Sequence, residues 1–358
     1  MRILIDIGHP GHVHYFRNFY KIMKSKGHDF LFISRDKEVT FALLEYFQIP
    51  YKSRGKGKKG IIGKLIYILF ADFIIYKHAR QFKPDIFLSF ASPYMGHVAF
   101  VFRKPNIIVD DTEHATLEHL MYKPFASVIL TPNCFYKKLG DVQIKFNGYM
   151  ELCYLHPNYF KPNPSVLNLL GVAKGEKYVI MRFVSWNASH DMMGQNKGLA
   201  LEEKIELVKI VNKYAKIFIT SEIELPEKLK KFNLHIPPER MHDAIAYAKM
   251  FIGESLTMAS EASILGTPSL CVSTIEAGTL SEQNERGLVV SFKNSNGLFR
   301  KVEKMLIDSE LNKKWKEKKD KLLIDKIDVT AFMIWFVENY PKSIKIMKNN
   351  SGYQLRFK

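Results

Sequence analysis

Short β-branched or apolar runs alternate with longer helical patterns over most of this sequence. In its first part the strand-like runs are RILIDI, DFLFIS, DIFLSF, NIIVDD and SVILTP. Such alternation predicts a parallel sheet with helices on both faces, because consecutive parallel strands need a helical crossover. The pattern resumes later with KYVIMRFV, KIFITS, KMFIGES and SLCVS. The chain is therefore expected to form α/β domains of the doubly wound kind.

The length and one proline-rich segment predict two such domains. A chain of 358 residues suits two domains of roughly 150 residues each. The segment YLHPNYFKPNP holds three prolines and shows no periodicity, so residues 154–165 are interpreted as a linker between domains 1–153 and 166–325. Residues 326–358 contain VTAFMIWFVENY, whose aromatic residues recur at helical spacing. We expect them to form a helix and tail that pack back on the body.

Composition excludes several classes of protein. Apolar residues make up 47% and charged residues 25% of the chain, which excludes a disordered or fibrous protein. The three cysteines are far apart and form no CxxC pair, so neither a disulfide framework nor a zinc site is indicated. The N-terminus lacks the long apolar core of a signal peptide, and Lys64 and Asp72 interrupt the most apolar stretch, 61–76. A cytoplasmic protein without a membrane-spanning helix is expected.

Ligands of doubly wound sheets bind beyond the carboxyl ends of the strands, so the residues after each strand are the first candidates for a site. After RILIDI comes GHPGHVH, where Gly11 lets the backbone approach a ligand and the following helix presents N–H groups to an anion. Three histidines, His9, His12 and His14, fall within six residues. The alternative is a tight turn that carries surface histidines.

A second strand end is rich in carboxylates. Asp110, Asp111 and Glu113 follow the run NIIV, with His114 next to them. Crowded carboxylates raise one another's pKa, which is what a general base at neutral pH requires. The alternative is a helix N-cap, in which Asp111 or Thr112 simply starts the next helix.

Two strand ends of the second domain suit a nucleotide. RFVSWNASHD offers the cation Arg182, the hydroxyl of Ser185 and an aromatic side chain, although a polar surface loop would have a similar composition. In GESLTMASEASILGTP, residues Ser255, Leu256 and Thr257 stand at a predicted helix N-terminus. Backbone donors and the helix dipole stabilise a diphosphate at such a position.

The same predicted helix carries Glu261 about one turn further on. We expect this carboxylate to accept hydrogen bonds from two ribose hydroxyls, and to have no partners in the core. Gly266 is the predicted C-terminal cap, with Pro268 beyond it. An ordinary capped helix accounts for the ends of this segment but not for a glutamate amid small residues.

The segment SLTMASEASILGTP resembles the nucleotide-diphosphate segment of GT-B glycosyltransferases and of non-hydrolysing UDP-GlcNAc 2-epimerases. More closely, five segments in order resemble the domain-of-unknown-function 354 family: GHPGHVHYF, VDDTEHA, NGYMELCYLHP, RFVSWNASHD and TMASEASILGTP. The resemblance runs from residue 1 to about residue 290. It implies a GT-B-like α/β fold, with two doubly wound Rossmann-like domains that face a central cleft.

The resemblance also implies roles for the residues of each domain. The second domain would bind a nucleotide-diphosphate sugar through Arg182, Ser185, His242, Ser255, Leu256, Thr257, Glu261 and Gln283. Gln283 lies in LSEQN, which resembles the segment with which related glycosyltransferases hold the donor sugar; alone, it would be a polar loop. The first domain would bind the acceptor, with His9, Gly11 and His14 on that side. Glu113, His12 and Asp111 are the candidate bases for an inverting transfer. Neither a metal nor a further cofactor is expected.

Departures from the epimerases favour glycosyl transfer. Their acid after the strand that reads DIFLSF here is replaced by Ser89 and Ser92, and their HRREN-like segment by RFVSWNASHD. Proton abstraction from a sugar carbon therefore lacks a familiar base. We predict a metal-independent glycosyltransferase that moves a sugar to a glycan or lipid-linked acceptor in cell-envelope polysaccharide synthesis. A nucleotide-sugar 2-epimerase or hydrolase of the same fold is the alternative.

The net charge of +17 indicates an anionic partner. A basic cluster precedes the apolar stretch 61–76 and resembles the membrane-docking surface of enzymes that modify lipid-linked sugars; it consists of Lys52, Arg54, Lys56, Lys58 and Lys59. The expected location is thus the cytoplasm or the inner face of the cell membrane, unless the cluster is a solvated loop before a core helix. NKKWKEKKDK raises nucleic-acid binding as a remote alternative, but no RRM, KH or helix-turn-helix pattern accompanies it.

Overall fold

A computed structural model of the chain describes residues 1–58, 60–184, 198–221 and 224–358. Two compact units make up the chain: Met1–Tyr159 together with Lys326–Lys358, and Phe160–Asp325. The first division falls within residues 154–165. Tyr154 and Leu155, at the start of that segment, are buried, because they belong to a short helix of the first unit.

The strands of the described residues are β1 (Arg2–Ile7), β2 (Asp29–Ser34), β3 (Tyr51–Ser53), β4 (Ile86–Phe90), β5 (Asn106–Val109), β6 (Val128–Pro132), β7 (Gln143–Phe146), β8 (Tyr178–Phe183), β9 (Lys216–Ser221), β10 (Met250–Gly253), β11 (Ser269–Val272) and β12 (Val289–Phe292).

The α-helices are α1 (Pro10–Ser25), α2 (Thr40–Tyr46), α3 (Ile61–Phe82), α4 (Pro93–Phe102), α5 (Thr116–Tyr122), α6 (Leu152–Leu155), α7 (Val166–Leu169), α8 (Leu201–Val211), α9 (Met241–Tyr247), α10 (Leu256–Leu265), α11 (Gly278–Glu285), α12 (Leu298–Ile307), α13 (Leu311–Asp325), α14 (Val329–Glu338) and α15 (Lys342–Asn349). Tighter 3₁₀ turns cover Lys123–Phe125, Glu227–Phe232, Pro238–Arg240 and Ser351–Phe357. Among these residues, no helix combines the length and apolar character needed to cross a bilayer.

The first unit contains a seven-stranded parallel sheet in the order β3-β2-β1-β4-β5-β6-β7. Strands β4, β5 and β6 are buried along their whole length, as expected for a sheet with helices on both faces. The strand order reverses between β1 and β4, so the carboxyl ends of these two strands form the switch point at which doubly wound sheets bind ligands. Asp6 of β1 stands opposite Ser89 of β4 there.

The C-terminal helix α14 belongs to this first unit. The Oγ1 of Thr330 donates to the carbonyl oxygen of Cys153 at 2.9 Å, and the ring of Phe332 lies 5.9 Å from that of Phe146. Asp328 caps the helix by accepting from the backbone N–H of Ala331. The apolar periodicity noted in the sequence thus covers the first unit.

The second unit contains a five-stranded parallel sheet in the order β12-β11-β10-β8-β9. Its core includes the buried side chains of Tyr178, Ile180, Phe251 and Cys271. The strand order reverses between β8 and β10, which places the switch point at the loops after Phe183 and Gly253. Both units are therefore doubly wound, as the alternation of strands and helices predicted.

Candidate functional site

The second unit places the N-terminus of α10 at its switch point. Ser255 is the N-cap, and its side chain accepts from the backbone N–H of Met258 at 3.3 Å. Leu256 and Thr257 form the first turn, in which Thr257 is exposed. At the other end Gly266 adopts a left-handed φ of +78°, as its predicted capping role requires. An exposed N-terminus in this position is electrostatically suited to an anion.

Close packing of β8 against β10 places the backbone of Arg182 beside Gly253, two residues before the N-cap of α10. A Cβ on Gly253 would lie 2.5 Å from the carbonyl oxygen of Arg182, so only glycine allows the two strands to approach so closely. The Nη1 of Arg182 donates to Thr220 Oγ1 at 3.0 Å, which orients the guanidinium along the edge of β9. Ser185 and the rest of the predicted segment up to Asp191 lie outside the described residues.

Glu261 does have a partner in the core, contrary to expectation. Its Oε1 lies 3.0 Å from Nε2 of His242 on α9, and both side chains are buried. The contact joins α9 to α10 and brings together two residues that the sequence assigned to the same ligand. Replacement of Glu261 would therefore disturb the unit itself, because it would remove a contact between two buried polar side chains.

Gln283 occupies a different environment from the one predicted. Its side chain is fully buried, and its Nε2 donates to Ser260 Oγ on α10 at 2.8 Å. In this position the amide joins α11 to α10 and does not reach solvent, so a direct contact with a donor sugar is wrong for this conformation. Among the described residues, the Gln283 Oε1 has no hydrogen-bond partner.

The sequence did not predict the buried ion pair of Glu254 and Lys204. The carboxylate of Glu254 accepts from the backbone N–H groups of Val184 and Leu199 at 2.9 and 2.8 Å, and its Oε1 lies 3.1 Å from Lys204 Nζ. Glu254 and Lys204 are almost fully buried. Glu254 thus fixes both described ends of the segment that follows β8. The position of this acid, directly after a buried strand, is the signal that could have identified it.

In the first unit, His12 contributes to the turn after β1. Its Nδ1 accepts from the backbone N–H of Gly8 at 3.2 Å, and its ring lies 4.7 Å from that of Phe90. Burial, followed by the nearby positive charges of His9 and Arg54, lowers the pKa of His12 well below its usual value. A neutral ring that accepts at Nδ1 carries its proton on Nε2. In this arrangement the Nε2 of His12 is therefore the atom that is available to donate a hydrogen bond.

The other residues of this loop have structural contacts. The side chain of His9 caps α1 by accepting from the backbone N–H of Gly11 at 3.2 Å. His14 is buried, with its ring stacked 5.2 Å from Tyr154 and its Nδ1 3.1 Å from Arg17 Nη1. An acceptor-side role for His14 is wrong for this conformation, because the side chain packs between α1 and α6.

The predicted cluster of carboxylates, Asp110, Asp111 and Glu113, lies after β5. The carboxylate of Glu151 adds its charge to this cluster. Asp110 is buried and accepts from Thr112 N at 2.8 Å and from the hydroxyl of Tyr122. Asp111 is half-buried. Burial, together with the charges of Glu151, Asp110 and Glu113, raises the pKa of Asp111 well above its usual value.

The alternative of a simple N-cap is wrong. Helix α5 begins only at Thr116, Ala115 occupies its cap position, and no side chain caps it. Glu113, the first candidate for the base, is 1% exposed. Asp111 is therefore the more accessible of these two carboxylates, and its raised pKa is the property that the crowded sequence predicted. Among the described residues, no group of three or more His, Cys, Asp or Glu side chains is arranged to hold a metal ion.

Comparison with known proteins assigns the family. The model of a family described as a protein of unknown function, DUF354, matches residues 1–337. The chain belongs to the DUF354 family. An uncharacterized protein of Methanocaldococcus jannaschii is 25% identical over 285 residues, which covers 75% of this chain and 80% of that protein.

Solved structures similar to this DUF354 protein include both epimerases and glycosyltransferases of the GT-B type. Staphylococcus aureus MnaA, in a co-structure with UDP, has a TM-score of 0.69 at 13% identity, covering 96% of this chain and 98% of that one. The UDP-GlcNAc 2-epimerase of M. jannaschii, in complex with UDP-GlcNAc and UDP, has a TM-score of 0.63 at 14% identity, covering 86% and 94%. The Streptomyces sp. SF2575 glycosyltransferase SsfS6 has a TM-score of 0.58 at 12% identity, covering 95% and 100%. At these identities the likeness shows the GT-B fold.

This DUF354 protein does place a carboxylate beside the two serines that replace the epimerase acid. Asp6 of β1 accepts from Ser92 Oγ at 2.7 Å. The same carboxylate binds Arg54 through two contacts, Nε to Oδ1 at 2.8 Å and Nη2 to Oδ2 at 3.1 Å, and both side chains are buried. The sequence assigned Arg54 to an exposed basic cluster, which is wrong because the guanidinium is 2% exposed and ion-paired. Lys59, from the same cluster, lies outside the described residues.

Proposed function

We propose that this protein is a GT-B glycosyltransferase that transfers a sugar from a nucleotide-diphosphate sugar to a glycan or lipid-linked acceptor in cell-envelope polysaccharide synthesis. The observation that carries the proposal is the exposed N-terminus of α10 at the switch point of the second unit. Ser255 and Thr257 supply hydroxyls there, and Arg182 pairs through its backbone with Gly253, two residues before Ser255. Departure of a nucleoside diphosphate develops negative charge, which such groups stabilise without a metal ion.

We assign the general base to Asp111 in preference to Glu113. Deprotonation of an acceptor hydroxyl needs an accessible group with a pKa nearer to neutrality than that of an ordinary carboxylate. Asp111 is half-buried, and burial and its carboxylate neighbours raise its pKa. The neutral His12 would donate from Nε2 to a substrate oxygen, since its Nδ1 is occupied by the Gly8 N–H.

Nucleotide-sugar epimerisation or hydrolysis is the second candidate, because the UDP-GlcNAc 2-epimerase of M. jannaschii has a higher TM-score than the glycosyltransferase SsfS6. The environment of Asp6, the carboxylate at the switch point of the first unit, argues against this second candidate. Asp6 is buried and ion-paired with Arg54, so its carboxylate is shielded from a sugar carbon. Nucleic-acid binding has no comparable support among the described residues.

A two-step experiment tests the proposal. The thermal stability of the purified protein is first measured with a panel of nucleotides and nucleotide-sugars, because a specific ligand stabilises the native state. The stabilising nucleotide-sugar is then incubated with and without candidate glycan and lipid-linked acceptors. Product that forms only with an acceptor supports transfer, whereas a new epimer or free sugar without any acceptor supports the second candidate. No stabilisation by any nucleotide-sugar would overturn both.

A further inference from the structure

Helix α3 has two apolar faces. Its inner face carries Tyr67, Ala71, Ile75 and Ala79 at intervals of four residues, and all four side chains are buried. Ile75 and Ala79 pack in a core cluster with Leu4 and other side chains of the first unit. This face alone would account for a surface helix of an α/β domain.

The outer face of α3 carries a second apolar stripe at helical spacing, and we define it as Ile62, Leu65, Ile66, Leu69, Phe70, Phe73 and Tyr76. These side chains are between 38% and 75% exposed. Isolated exposed apolar residues are common on proteins, but a continuous stripe of seven on one helix marks an interaction surface. With 22 residues the helix is about 33 Å long, so the stripe is extended.

The surface continues onto α4. Phe100 and Val101 are 69% and 63% exposed. The ring of Phe102 lies 5.4 Å from that of Tyr76, which connects the end of α4 to the stripe on α3. The outer face of α3 therefore has an apolar neighbour on the adjoining helix.

The charged residues around this surface are mainly basic. Residues 51–105 contain eleven Lys and Arg but only two acids, Asp72 and Asp85. Asp72 is bonded to His97 at 2.9 Å, and Asp85 accepts from the backbone N–H of Arg2 at 2.7 Å. Lys58, Lys64, Lys77, Arg80, Arg103 and Lys104 are exposed. An apolar stripe edged by cations complements a lipid surface with anionic headgroups.

We propose that the outer face of α3, together with Phe100 and Val101, binds the surface of an anionic lipid bilayer. The helix lies parallel to the membrane plane, because its inner face remains packed on the sheet of its own unit. The apolar side chains enter the boundary between headgroups and acyl chains, and the lysines and arginines contact the headgroups. This inference stands on the surface of the first unit and not on the proposed transfer reaction.

Vesicle co-sedimentation of the full-length protein tests the proposal. The parent protein is expected to sediment with vesicles of phosphatidylcholine and phosphatidylglycerol in equal parts, and more weakly with phosphatidylcholine alone. The variant Leu65→Gln, Leu69→Gln, Phe73→Gln should bind at least about tenfold more weakly, since each substitution removes apolar area that enters the bilayer. The variant Lys58→Ser, Lys64→Ser should lose affinity for the anionic vesicles specifically.

A matched control changes three apolar residues of similar exposure in the second unit, Leu169, Ile307 and Ile324, to glutamine. This control should bind vesicles as the parent does. Equal binding by the parent and the α3 variant, or no binding by the parent, would overturn the proposal. So would a parent that is dimeric in sedimentation velocity while the α3 variant is monomeric, because that result would assign the stripe to a second copy of the chain.

Discussion

Both units present loops at the switch point of a parallel sheet, but the two strand ends differ in charge and burial. In the second unit, neutral Ser255 and Thr257 stand at the N-terminus of α10, and Thr257 is exposed. In the first unit, the ion pair of Asp6 and Arg54 is buried at the switch point, and Asp111 stands among other carboxylates after the neighbouring strand β5. Under the proposed function, the same fold element supplies an anion site in the second unit and proton-handling groups in the first.

The strongest test of this contrast is the Asp111→Asn substitution. If Asp111 is the base, turnover should fall about 10²–10⁴-fold while the affinity for the nucleotide-sugar changes little. The raised pKa gives a second readout, because the carboxylate must be ionised to accept a proton. Turnover of the parent should therefore rise with pH through that raised pKa, and this limb should vanish in the variant.

Two controls accompany this measurement. Asp141→Asn alters an exposed aspartate of the same unit and should leave turnover unchanged. Glu113→Gln changes a buried carboxylate, so it should lower the stability of the protein more than it lowers turnover. Parental turnover in Asp111→Asn, with a large loss in Glu113→Gln, would return the base to Glu113.

The second prediction breaks the buried pair of the first unit. Arg54→Met removes one partner of a buried ion pair and leaves Asp6 without its cation, so the free energy of unfolding should fall by about 3–5 kcal/mol. Urea denaturation measures this loss. The double variant Asp6→Leu, Arg54→Met removes both charges and should recover part of it. If Arg54→Met is as stable as the parent, the ion pair does not contribute to the free energy of unfolding.

The third prediction uses the pH dependence of stability. His12 has a lowered pKa in the folded state, so the unfolded chain binds more protons once the pH falls below the ordinary value of about 6.5. Stability should therefore decline as the pH falls from about 7 toward 5, by up to about 1.4 kcal/mol per pH unit for this one group. His12→Asn should reduce that slope, whereas His235→Asn, at an exposed site, should leave it unchanged. Identical slopes in all three proteins would contradict the lowered pKa of His12.

The α/β fold and the main strand ends could be predicted from the sequence because they depend on local patterns. Alternating apolar runs predict strands and crossovers. The end of a helix often requires a residue with a left-handed backbone conformation, which a glycine such as Gly266 adopts. The carboxylates after β5 were also predicted, since neighbouring positions in the sequence guarantee that they crowd one another.

Long-range partners could not be predicted in this way. Arg54 is 48 residues from Asp6, and nothing in its basic neighbourhood distinguishes it from the exposed Lys52 and Lys56. Gln283 is likewise hydrogen-bonded inside the protein to Ser260, which is 23 residues away. Which polar side chains are satisfied inside the protein is decided by tertiary packing, so predictions for single site residues are less secure than the prediction of the sheet that carries them.

The last prediction concerns the N-terminus of α10 in the second unit, and its first variant has the smallest expected effect. Thr257→Val keeps the shape of an exposed side chain but removes its hydroxyl, and loss of one hydrogen bond to a charged diphosphate should weaken nucleotide-sugar binding about tenfold. Ser255→Asp provides a sharper test, because aspartate is as good an N-cap as serine but adds a negative charge where the diphosphate would bind. This variant should unfold at the parental urea concentration yet bind the nucleotide-sugar more weakly than Thr257→Val in titration calorimetry. If Ser255→Asp instead binds as tightly as the parent, the anion site does not lie at α10, and the difference between the two switch points has another cause.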